Sequence, residues 1–125
     1  MLGSSDIVAF AATADAPKAR AFYEGTLGLR LVSDDPYALV FDANGTMLRI
    51  AKVQTVAVAP YTVVGWIVGD IATTARALAG QGVRFERFDG LPQDDLGIWS
   101  SGAAKVAWFK DPDGNTLSLT ELDRA

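Results

Sequence analysis

The chain contains no cysteine and no histidine. Without cysteine there is no disulfide framework, no thiolate nucleophile and no thiolate-ligated zinc or iron–sulfur cluster. Without histidine, the commonest metal ligand and the commonest general base are both gone. Long apolar runs are missing too, since none approaches the ~20 residues that span a bilayer. Basic residues are outnumbered, 11 Lys and Arg against 15 Asp and Glu, for a net charge of −4. That balance argues against non-specific nucleic-acid binding, which needs a basic surface to neutralise phosphates. The opening MLGSSD has neither the basic nor the apolar region of a signal peptide. These absences lead to the expectation of a soluble cytoplasmic protein with no nucleic-acid and no membrane partner.

What is present is enough for a core. Half of the 125 residues are hydrophobic and 21% are charged, an ordinary globular composition. The length suits one domain, 1–125, or two half-size modules sharing a core.

Two stretches echo each other: VFDANGTMLRI, Val40 to Ile50, and FKDPDGNTLSL, Phe109 to Leu119. Each runs apolar, turns through Asp and Gly, and restarts as an alternating strand. Asn-Gly and Asp-Gly turns between such runs predict tight hairpins, because those residues tolerate positive φ. Before each hairpin the same order recurs. Ile7–Thr13 reads as a strand, Asp15 as a helix N-cap with Pro17 in the first turn, and Gly28 as the helix stop. Ala19, Phe22, Tyr23 and Leu27 give that helix an apolar stripe. Leu29–Asp34, Tyr37–Asp42 and Thr46–Val53 follow as strands. After a linker at Gln54–Pro60, Tyr61–Val68 is a strand, Asp70 caps a helix, and Gly82 ends it. Val83–Phe88, Ala104–Phe109 and Asn115–Leu122 complete the second set. The two hairpin turns lie further apart than the two caps do. The second copy therefore carries an insertion, placed at Asp89–Gly102, and loops of that length are disproportionately functional.

The predicted fold class is α+β: two tandem β-α-β-β-β modules, about 5–54 and 60–123. Their strands would form a curved, mostly antiparallel eight-stranded sheet around a cavity, with helices outside. Along each strand alternate side chains would face the hollow.

The start IVAFAATADAPKARAFYEGTLGLRLV, the closing FKDPDGNTLSL and the doubled module resemble the vicinal oxygen chelate superfamily. That group includes glyoxalase I, extradiol dioxygenases, and fosfomycin-resistance and bleomycin-binding resistance proteins. The resemblance runs from about Asp6 to Leu122. It implies four inward positions that in metal-using members carry His, Glu or Gln around a divalent cation. Here those positions fall on Val8, Val63, Arg49 and Ser118. Valines offer no lone pair, arginine is a permanent cation and serine alone is a poor ligand. No metal and no cofactor is therefore expected, and no catalytic residue is assigned.

Arg49 is the leading candidate for ligand contact. A guanidinium in an apolar hollow suggests a ligand carboxylate, phosphate or phenolate, or else pairing with an acid such as Glu86 or Glu121. Phe10 shares the parity of Val8, and Ile67 that of Val63, so both would line the hollow or simply fill the core. Gly65, between Val63 and Ile67, would leave room there. Trp99, in the insertion, would stack on a planar ligand near the mouth or anchor its own loop. Trp66 should face the helices, and the DPDG acids should act as turn-formers.

The expected function is metal-free binding or sequestration of an aromatic or amphipathic small molecule, resembling the bleomycin-binding branch. A homodimer is expected, as in family members of this size. One alternative is a glyoxalase-type lyase or isomerase, or a dioxygenase-like enzyme with a non-standard site. Another is a protein-interaction module with a vestigial cavity, which tight packing beside Arg49 would favour.

Overall fold

A computed structural model describes residues 1–123. After a single 3-10 turn at Leu2–Ser4, the elements run β1 (Val8–Thr13), α1 (Ala16–Arg20), β2 (Arg30–Asp34), β3 (Ala38–Ala43) and β4 (Thr46–Lys52). They continue as β5 (Val64–Ile67), α2 (Ile71–Gly80), β6 (Trp99–Ser100), β7 (Ala104–Lys110) and β8 (Thr116–Leu122). This is the doubled β-α-β-β-β order. The eight strands hydrogen-bond as two four-stranded sheets, β1-β4-β3-β2 and β5-β8-β7-β6. In each, the first strand lies parallel to the last and the other pairings are antiparallel. The framework divides into two compact units, Met1–Val58 and a second beginning at Ala59.

In the first unit, Asp15 caps α1 by accepting a hydrogen bond from the Lys18 amide at 3.2 Å. The helix widens into a π turn over Ala21–Thr26, and Gly28, at φ 76°, releases the chain. Ala19 and Tyr23 are fully buried, while Phe22 and Leu27 are half-buried. Tyr23 packs on Phe41 of β3 with ring centroids 5.8 Å apart. Leu39, Leu48 and Ile50 complete the core on that face of the sheet. Asn44 and Gly45, at φ 52° and 92°, make the tight β3–β4 turn. Two successive positive φ values are what a twisted two-residue hairpin requires.

In the second unit, Asp70 caps α2 through the Thr73 amide at 3.1 Å. Glu121 of β8 accepts from the Ile71 amide at 2.9 Å, fixing the first turn of α2 to its sheet. Ile71 and Ala75 bury against a core that includes Ala107, Phe109, Leu117 and Leu119. The DPDG turn is organised by Asp111, only 5% exposed, whose carboxylate accepts from the Asp113 and Asn115 amides and the Asn115 side chain. As expected, those acids build a turn.

One element differs. Val83–Phe88 was expected as a full strand, yet only a single bridge joins it to β7, Phe85 with Phe109, extended by the Glu86 amide to the Trp108 carbonyl at 2.7 Å. The outer strand beside β7 is β6, at the end of the insertion. The edge is shared because the insertion folds back onto the same strand, and only part of β7's edge is left for residues 83–88.

Candidate functional site

Each sheet has one face toward its helix and one open face, and the registers assign residues to them. In the first sheet Arg49 pairs with Phe10 on one side and Val40 on the other, and Val8 pairs with Met47. Val8, Phe10 and Arg49 thus share the open face, as parity required. Phe10 is 58% exposed and Val8 40%, so neither fills a core within its unit.

Arg49 is half-buried on that face. Among the described residues its side chain forms no salt bridge: the acids considered as partners are engaged elsewhere, Glu86 with Lys110 at 3.5 Å and Glu121 with Lys105 at 3.9 Å. Asp35 feels its charge at longer range. The amides of Tyr37 and Ala38 hold the Asp35 carboxyl below its ordinary value, with Arg49 and Lys52 contributing less. Arg49 is thus a cation among exposed apolar side chains.

In the second sheet Gly65 pairs with Ser118, Ser118 pairs with Trp108, and Ile67 pairs with Thr120. Ser118, Gly65, Ile67 and Trp108 therefore share the open face, with Val63 two residues before Gly65. Trp66 pairs with Leu119 on the helix face, as expected. Ser118 is only 8% exposed, and a Cβ on Gly65 would stand 2.6 Å from its Oγ, so glycine makes room for the hydroxyl. Trp99 pairs with Val106 and falls on the same face as Trp108, with ring centroids 6.4 Å apart. Trp108 is the main residue of this face that the sequence does not place, because its facing depends on the β7 register. Phe88 packs edge-on against it at 5.4 Å and 89°.

Among the described residues, two cavities of the second unit bear on the site. The larger, about 660 Å³, is bounded by Ile67, Ser101, Lys105, Glu121 and Asp123 among others, and its Lys105 and Glu121 are already paired. The smaller, about 390 Å³, is walled by Phe88, Leu91, Trp99 and Trp108. Neither is lined by Arg49.

The positions that the resemblance implies for metal ligands hold Val8 and Arg49 in the first module and Val63 and Ser118 in the second. Two side chains without lone pairs, a fixed cation and one hydroxyl do not fit a divalent cation. Among the described residues no group of three or more acids could substitute elsewhere.

Residues 7–119 match the model of the Glyoxalase/Bleomycin resistance protein/Dioxygenase superfamily. The chain belongs to this superfamily. Solved structures share the fold at low sequence identity. An antibiotic binding protein from Streptomyces sp. CB03234 is 22% identical with a TM-score of 0.72, the match covering 96% of this chain and 98% of that one. A glyoxalase family protein from Enterococcus faecalis is 20% identical at TM-score 0.70, covering 97% and 100%. Lactoylglutathione lyase from Agrobacterium tumefaciens is 17% identical at TM-score 0.67, covering 94% and 93%. No curated protein sequence matches the chain. Among the described residues no helix is long and apolar enough to cross a membrane.

Proposed function

We propose that this superfamily member is a metal-independent small-molecule-binding protein that holds an aromatic or amphipathic ligand and does not turn it over. The observation that carries the reading is Arg49: it stands where the resemblance implies a metal ligand, beside exposed Phe10 and Val8, and forms no salt bridge among the described residues. An unpaired guanidinium bordered by apolar surface suits a ligand with an anionic group joined to an apolar body. Val63, Ile67, Ser118 and Trp99 are proposed as ligand contacts within the second module. The antibiotic-binding relative lends support by showing that the fold serves binding. We propose a homodimer as the working form, checked by light scattering across micromolar concentrations.

Thermal-shift measurement with aromatic carboxylates tests the reading. A ligand present at about 100 times its dissociation constant should add roughly 2.7 kcal/mol to stability. Arg49→Ala should lose most of that gain. Equal stabilisation of the variant would remove Arg49 from the site. Stoichiometric nickel, zinc, iron or manganese in purified protein would favour the enzyme alternative instead.

A further inference from the structure

We infer that the insertion of the second module builds a preformed pocket for an uncharged planar aromatic ring system, held between Phe88, Leu91, Trp99 and Trp108. This deepens the binding reading for the second module only and needs nothing from Arg49.

Three observations carry it. First, three aromatic side chains and one leucine line a shallow, largely solvent-open hollow of roughly 390 Å³, with no carboxylate, amide or ammonium group among them. Apolar walls without a donor or cation leave an anionic group without compensation, which favours an uncharged guest over a carboxylate. Second, the rings present different surfaces. Phe88 meets Trp108 edge-on at 89°, whereas Trp99 is tilted 39° to Trp108 at 6.4 Å. Offset and edge contacts are how aromatic rings prefer to meet, and a planar guest can add one of each.

Third, the loop is tied down at both ends of the pocket. The Gln93 side chain accepts from the Phe88 amide and donates to the carbonyls of Glu86 and Gly97, all at 2.8–2.9 Å. The Arg87 guanidinium donates to the carbonyls of Asp94 and Asp95, and Asp94 Oδ1 accepts from the Leu96 and Ile98 amides. Gly97, at φ 88°, packs so closely that a Cβ would lie 2.9 Å from that of Phe85. This bonding braces the loop backbone at Phe88 and at Gly97–Ile98, and pairing with Val106 holds the backbone of Trp99. Such pre-organisation lowers the ordering cost of binding.

The test follows the three indole N–H signals of the full-length ¹⁵N-labelled chain by NMR during titration with naphthalene-2-methanol. The probe is neutral, so it lacks the anion that Arg49 would recognise, and 2-naphthoate in a parallel titration reports on that separate reading. The expected result is a saturable shift of the Trp99 and Trp108 signals with Trp66, on the opposite face, unmoved. Trp99→Leu should weaken binding by about tenfold, the scale of one lost ring contact, and Leu91→Glu, which brings a carboxylate to the apolar wall, should weaken it too. Absence of saturable shifts up to the solubility limit would overturn the inference, as would equal affinity in both variants. Tighter binding of tetramethylammonium than of the neutral probe would also overturn it, marking the rings as a cage for a cation.

Discussion

The two modules repeat one architecture and fill it differently. At matching ladder positions the first places Phe10 beside Arg49, and the second places Gly65 beside Ser118. One open face is bulky, exposed and charged. The other is small at its centre, where Ser118 is buried and Gly65 exposed, and gains its bulk from the tryptophans of β7 and β6. The edges differ as well. In the first sheet β2 supplies one five-residue edge strand, whereas in the second Phe85 and β6 divide the edge and the insertion loops out between them. Backbone order is thus repeated while the chemistry of the open faces is divided: a cation in one module, clustered aromatic rings in the other.

The hairpin turns provide the sharpest contrast in stability. Asp111 is buried and holds three donors, so Asp111→Ala should cost about 2–3 kcal/mol in urea unfolding. Its counterpart Asp42 is solvent-accessible, accepts one amide hydrogen bond from Gly45, and pairs with Arg30 at 3.4 Å. Asp42→Ala should cost only about 0.5–1 kcal/mol. Equal losses would show that the two turns do the same work.

Gly97→Ala should be next in size. It forces a side chain into positive φ and against Phe85, at about 1–3 kcal/mol. The same variant should shift the Trp99 and Trp108 indole signals, while resonances of the first sheet stay in place. A smaller effect is expected at Gly65→Ala, where Ser118 must leave its rotamer, at about 1 kcal/mol.

The smallest is an acid response shared by the modules. Amide hydrogen bonds from Tyr37 and Ala38 depress Asp35, and the Thr73 amide and hydroxyl depress Asp70, each from an ordinary value of 3.8. A carboxyl held lower in the folded state stabilises fully above its unfolded value and loses that contribution as pH falls through the folded one. Urea midpoints should therefore decline as pH falls below about 4, and less steeply in an Asp35→Asn, Asp70→Asn double variant.

Much of this was legible in the sequence. Asp15 and Asp70 as caps, Asn44-Gly45 and DPDG as turns, and the doubled module follow from local chemistry that acts over three or four residues. The facing of Phe10, Arg49, Trp66 and Ser118 follows from strand parity. The second sheet's edge was not legible, because residues 83–88 have strand-like content and lose their place only to a segment more than ten residues away. The Phe88–Leu91–Trp99–Trp108 pocket depends on the β7 register and on Gln93 and Arg87 bonding across the loop. Single polar side chains that bridge a loop leave no periodic trace.

The central claim is that the first module's open face binds through Arg49. Isothermal titration of the full chain with 2-naphthoate, wild type against Arg49→Ala and Arg49→Lys, tests it most directly. Saturable binding is expected that weakens at least about tenfold in Arg49→Ala and is partly restored in Arg49→Lys. Unchanged affinity in Arg49→Ala would contradict it.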